Sequence, residues 1–216
     1  MVDLQRILTD EPEKVPRAVQ DDIANNKEES AKEGHTIFYF SGRMITRKGL
    51  ANLLAAFAQL RAPLKNGPWV LWIAGAGPLL GELKQQAQEL GLSEHCRFLG
   101  FVQMRLHSYL LRNANVVVVP SLQDGWGIVV DEAMQVGKLV IASSGVGSSW
   151  DRIEHQKTGL VFPRGDVRAL GLCLSAALEG PQRMLELGSA AGQIAKDYGP
   201  KRNGAQLASF LLQQTQ

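Results

Sequence analysis

Cysteine is nearly absent. The 216 residues include only Cys96 and Cys173, far apart in the chain. That excludes a disulfide framework and a cysteine-based metal site, and sets a reducing cytoplasm as the expected compartment. No apolar run approaches the roughly 18 residues of a membrane-spanning helix. The N-terminus is charged and has no apolar signal segment. His35, His95, His107 and His155 are scattered without metal-ligand spacing, so each reads as structural or exposed. There is no Gly-x-Ser-x-Gly elbow, no Gly-x4-Gly-Lys-Ser/Thr phosphate loop and no Asp-x-Asp pair. Aromatics make up only 6% of the residues and are not interleaved with Lys and Arg, which argues against a single-strand nucleic-acid groove.

Charge of one sign is also scarce: the net charge is +2, with 45% hydrophobic and 20% charged residues, the balance of a globular chain. The distribution is uneven. Residues 1–36 hold nine acids and five bases, leaving 18 bases and 12 acids for the rest. The main body is mildly basic, which suits a small anionic ligand and falls short of a nucleic-acid stripe. Residues 1–35 read as a charged N-terminal segment or linker. The polar stretch from Asp21 to Gly34 fits a linker or a solvated helix, and a few apolar residues, Leu4, Ile7 and Leu8, then Val15, Val19 and Ile23, could dock a short helix. Residues 36–216 read as the domain proper.

Within that domain, short continuous apolar runs alternate with helical periodicity. Strands are expected at Ile37–Phe40, Trp69–Ala74, Cys96–Leu99, Val116–Val119, Leu139–Ala142 and Gly159–Phe162. Helices are expected over about 50–60, 79–90, 106–111, 127–136, 166–178, 181–196 and 204–214. Strands without polar alternation, separated by helices, predict an α/β fold: a parallel sheet covered by helices on both faces. Right-handed crossovers then bring every strand-to-helix turn to one edge, where such folds bind ligands.

Four turns at that edge stand out. Pro120-Ser121-Leu122-Gln123-Asp124-Gly125-Trp126-Gly127 leads into Ile128 and, one turn on, Glu132. Gly125 and Gly127 let the backbone approach a ligand, and a helix N-terminus supplies free amides to an anion. Asp124 and Glu132 would bracket that ligand, although the same spacing fits a capping aspartate and a solvated helix acid. Ser41-Gly42-Arg43 through Arg47-Lys48-Gly49 places three cations at the same edge, either for a diphosphate or as a solvated loop. Gly75-Ala76-Gly77-Pro78 departs from the dinucleotide fingerprint, since its third glycine is Gly81 and Pro78 intrudes. It fits a tight turn without ligand contact. Gly145-Val146-Gly147-Ser148-Ser149-Trp150-Asp151 is a further anion-facing turn or a plain loop.

In order along about 37–180, these turns resemble the C-terminal, donor-binding half of retaining glycosyltransferases with the GT-B fold, in particular glycosyltransferase family 4. Gly42-Arg43 with Lys48-Gly49 resembles the family's Gly-Arg-x4-Lys-Gly, and Gly75-Ala76-Gly77-Pro78 its Gly-x-Gly-Pro. Gly100-Phe101-Val102 is similar to its turn near the base. Pro120-Ser121, Asp124-Gly125-Trp126-Gly127 and Glu132-Ala133 resemble its most specific block, with Asp124 where Glu is commonest. Thr158-Gly159-Leu160-Val161 and Gly165-Asp166 follow its closing pattern.

The resemblance implies a Rossmann-like domain binding a nucleotide-diphosphate-sugar. The implied chemistry is metal-independent retaining glycosyl transfer without a cofactor. It implies that Arg43 and Lys48 hold the diphosphate, Asp124 lies by the sugar and Glu132 binds the ribose hydroxyls. Gly42, Gly75, Gly77, Val102, Gly125, Trp126, Gly127 and Ile128 would contact the donor. It further implies an N-terminal acceptor domain, in the same or a separate chain, through which peripheral membrane contact would be made. A non-catalytic nucleotide-sugar-binding or assembly module is the alternative.

Overall fold

The structure, a computed structural model, describes residues 15–28, 35–65 and 67–198. Six parallel strands form one sheet in the order β3-β2-β1-β4-β5-β6. They are β1 (Thr36–Ser41), β2 (Trp69–Ala74), β3 (Cys96–Gly100), β4 (Val116–Val119), β5 (Leu139–Ser143) and β6 (Leu160–Phe162). The β1–β2 register runs from Thr36 opposite Trp69 to Ser41 opposite Ala74. β1 also pairs with β4, Phe38 opposite Val116. The chain therefore reverses its direction of travel across the sheet between β1 and β4.

The helices are α1 (Arg17–Glu28), α2 (Leu50–Ala58), α3 (Ala62–Lys65), α4 (Leu80–Glu89) and α5 (Met104–Asn113). They continue with α6 (Ile128–Gln135), α7 (Gly147–Arg152), α8 (Val167–Glu179) and α9 (Pro181–Ala195). Alternation along each strand sends side chains to opposite faces. Phe38 and Phe40 join Leu53, Leu54, Phe57, Leu71, Ile73, Leu170 and Leu174 in one core layer. Ile37 and Tyr39 join Val19, Val70, Trp72, Leu110, Val130 and Ala191 in the other. Burial of the strands on both faces explains their unbroken apolar sequence.

Two local outcomes go beyond the sequence expectation. The acidic stretch at Asp21–Asp22 forms part of α1, and Val19 and Ile23 are buried. Asp22, only 4% exposed, accepts from the Trp72 indole Nε1 at 2.8 Å and faces the Arg97 guanidinium at 3.3 Å. A buried carboxylate needs such partners, and both come from strands far along the chain. The turn at Gly145–Asp151 contains the short helix α7. The helix expected over 204–214 lies outside the described residues.

Candidate functional site

The loops leaving β1 and β4 part at the reversal point, which opens a crevice at the carboxyl edge of the sheet. After β1 the chain makes a 3-10 turn over Thr46–Lys48, ended by Gly49 in the left-handed region, where α2 begins. This turn places Lys48 facing the β4 loop. Its Nζ lies 2.5 Å from Asp124 Oδ2, and the two side chains are 19% and 14% exposed. Two residues separated by 76 positions thus meet as a part-buried ion pair.

Backbone hydrogen bonds brace the Asp124 loop from behind. The Asp124 amide donates to Gly145 O at 2.9 Å, and Gly147 N donates to Asp124 O at 3.0 Å. The Ser148 amide donates to Trp126 O at 2.8 Å. The Gly145–Ser149 turn is therefore a support for this loop. Gly127 has φ 78°, and a Cβ there would sit 2.4 Å from Val146 Cγ1, so only glycine fits between loop and turn. The N-terminus of α6, which follows, has no side-chain cap, so amides at this end remain available to an anion.

The Gly75–Pro78 turn is another support. The Gly42 amide donates to Ala74 O at 3.0 Å, and the Met44 amide to Ala76 O at 3.0 Å. At Gly75, with φ 138°, a Cβ would lie 1.8 Å from the Gly42 carbonyl oxygen. Gly75 and Gly77 thus let two loops touch, and neither lines the crevice.

The crevice has a volume of about 470 Å³, within the usual range for small-molecule sites. Of the residues singled out in the sequence, Gly42, Lys48, Val102, Asp124, Gly127, Ile128 and Glu132 line it. Arg43 does not line it and is exposed. Trp126 lines an adjoining cleft of about 430 Å³ with Asp131, Arg152 and Tyr198. There its indole Nε1 donates to Asp131 Oδ2 at 2.7 Å, while Arg152 Nε donates to Asp131 Oδ1 at 2.8 Å. The Arg152 guanidinium also lies 5.0 Å from the Trp126 ring and 3.9 Å from that of Tyr198. Gly125 lines neither cleft and is exposed. At the mouth of the crevice Phe101, Met104 and Ile128 are 81%, 64% and 68% exposed.

Sequence reasoning missed His107. It stands on α5, lines the crevice, and its Nε2 lies 3.1 Å from Glu132 Oε2. On its other side Nδ1 lies 2.8 Å from the Tyr39 hydroxyl and 3.4 Å from Ser41 Oγ. Burial raises the Tyr39 phenol well above its ordinary pKa, with the Glu132 charge adding to this and the Ser41 hydroxyl opposing it. The phenol therefore keeps its proton. The one available signal was position: His107 follows the Gly100-Phe101-Val102 turn at the ligand edge of the sheet. Among the described residues, no three His, Cys, Asp or Glu side chains gather as a metal site.

A doubly wound α/β unit with a crevice at its strand-order reversal is a ligand-binding class of protein. The chain belongs to the glycosyl transferases group 1 family, which it matches over residues 21–194. It is 36% identical to the D-rhamnosyltransferase WbpZ of Pseudomonas aeruginosa over 163 residues, 74% of this chain and 40% of that protein. It is 30% identical to the D-inositol 3-phosphate glycosyltransferase of Jonesia denitrificans over 173 residues, 78% of this chain and 40% of that protein. The crystal structure of Anabaena HepE in complex with UDP matches with a TM-score of 0.76 at 25% identity, over 90% of this chain and 51% of that one. A UDP-glucose complex of HepE matches with a TM-score of 0.72 at 26% identity, over 90% of this chain and 51% of that one. The fold is accordingly the expected Rossmann-like half of a GT-B glycosyltransferase. The chain spans less than half the length of each of these two curated relatives. Among the described residues, no helix is long and apolar enough to cross a membrane.

Proposed function

We propose that this chain is the donor-binding half of a retaining, metal-independent glycosyltransferase, and that the crevice takes a nucleotide-diphosphate-sugar. The observation that carries this reading is the meeting of Lys48, Asp124, Glu132 and the uncapped start of α6 on one crevice at the strand-order reversal. An ammonium and free amides suit a diphosphate, and the carboxylates suit hydroxyl groups. The UDP and UDP-glucose complexes of HepE support a nucleotide-sugar as the ligand.

In this reading Lys48 exchanges its Asp124 partner for the β-phosphate of the donor. Asp124, relieved of that pairing, accepts from a sugar hydroxyl, and Glu132 accepts from the ribose hydroxyls. As the bond from the anomeric carbon to the phosphate oxygen breaks, negative charge grows on the departing nucleoside diphosphate. Lys48 and the α6 amides meet that charge in place, and such prearranged electrostatics is usually the largest part of catalysis. Arg43 joins them by turning its exposed side chain inward. The glycosyl group passes to an acceptor held by a second domain, in the same or a separate chain. The exposed Phe101, Met104 and Ile128 at the mouth suit a surface that closes over the donor.

Titration of the chain with UDP, GDP, ADP and their sugars, followed by thermal shift, tests the donor site. A rise in Tm that favours one base is expected, and no shift with any of them defeats the proposal. Adding the acceptor domain and assaying transfer separates an enzyme from a non-catalytic binding module. The anomeric configuration of the product then tests retention.

A further inference from the structure

We propose that His107 is a positioning residue that aims Glu132 at a pair of neighbouring hydroxyls, and that the crevice thereby discriminates ribose nucleotides from their deoxy counterparts. The inference rests on the donor-site reading and assigns a residue that the family resemblance leaves without a role.

The argument follows the protons. Tyr39 is fully buried between β2 and β4 and keeps its phenolic proton throughout the ordinary pH range. Its hydroxyl lies 2.8 Å from His107 Nδ1. Donation along this line makes Nδ1 the acceptor and leaves the proton of the neutral imidazole on Nε2. Nε2–H then points at Glu132 Oε2, 3.1 Å away. Glu132 Oε1 has no hydrogen-bond partner among the described residues, so one carboxylate oxygen is held and the other is left for a ligand. Without the imidazole, Glu132 on α6 is a half-exposed side chain with several rotamers. With it, the carboxylate is held before any ligand arrives, and less ordering is needed on binding. The relay spans three elements: Tyr39 on β1, His107 on α5 and Glu132 on α6.

The test compares UDP with 2′,3′-dideoxy-UDP by calorimetric titration of the full chain. The wild type is expected to prefer UDP by about ten-fold or more, the effect of hydrogen bonds to a charged group. The His107→Asn side chain is too short to place a donor where Nε2 stands. It is expected to lose about five-fold in UDP affinity while binding dideoxy-UDP as the wild type does. The His107→Gln amide reaches the Nε2 position, and it is expected to restore the preference. Tyr39→Phe keeps the core packed and releases the tautomer, and it is expected to lower the preference about three-fold. Should His107→Asn fail to fold, the Gln and Phe variants still decide the matter. Equal loss of both nucleotides, or an unchanged preference in the Asn and Phe variants, overturns the role of His107. A wild type that binds UDP and dideoxy-UDP alike overturns the discrimination and with it this inference, whereas a wild type that binds none of UDP, GDP and ADP overturns instead the assignment of the crevice to a nucleotide donor.

Discussion

Lys48 and Asp124 neutralise each other at the crevice, and this pairing matters for what each substitution does. Replacing Lys48 by Ala removes the cation and also leaves Asp124 without its partner, so donor phosphate and carboxylate repel. In the transferase proposed above, supplied with an acceptor domain, Lys48→Ala is expected to reduce kcat on the order of 10²–10³, comparable to the loss of one oxyanion donor. Arg43→Ala is expected to act in the same direction and by the same order, although Arg43 has an exposed side chain outside the crevice. Steady-state kinetics on the two variants separates their contributions, and an unchanged rate for Arg43→Ala removes that residue from the diphosphate. The basic turn was legible in the sequence as a set of three cations. Which of them faces the crevice was not, because the direction of each side chain follows from the 3-10 turn at Thr46–Lys48 and from Asp124 waiting 76 positions away.

The elements show the same division. Strand positions could be read from unbroken apolar runs, and α6 from its spacing, because those patterns are local. The docking of α1 is less visible, since its anchor is a charge. Asp22 looks like a solvated acid until the Trp72 indole and the Arg97 guanidinium come to it. Asp22→Ala leaves the buried indole N–H unpaired. It is expected to destabilise the fold by about 1–3 kcal/mol, measured by urea denaturation, with α1 losing its hydrogen-exchange protection first. An α1 that stays as protected as before would show that Val19 and Ile23 suffice to hold it. The glycine turns are likewise structural at this scale. Gly75, a donor contact in the family resemblance, serves where the Gly42 loop presses against it and acts on a ligand through that loop, while Gly127 lines the crevice and also makes room for Val146.

For the whole molecule, the buried Cys96 thiol and the half-buried Cys173 thiol set an alkaline limit. Burial raises Cys96 from an ordinary 9.0 to about 12, with Arg97 opposing, and Cys173 to about 11. Below pH 9 both thiols are protonated whether folded or not, so they add no pH dependence. Above it the unfolded chain releases thiol protons that the folded chain retains, and unfolding gains from the release. Stability is therefore expected to fall as pH rises from about 9 toward 12 for Cys96 and toward 11 for Cys173. Cys96→Ala is expected to flatten the start of this fall, below the pH at which an unfolded tyrosine ionises. A series of denaturation midpoints from pH 8 to about 10 checks it, and an identical slope in the variant would assign the fall to other groups.

The sequence by itself determined the layered α/β unit, the edge on which its turns gather and the family resemblance, because periodicity and turn chemistry act over a few residues. Only the tertiary structure decided that Lys48 meets Asp124, that Gly75 and Gly77 brace loops, and that His107 stands between Tyr39 and Glu132. Those outcomes depend on which strands become neighbours. A hydrogen bond between side chains dozens of residues apart exists only after the sheet has assembled.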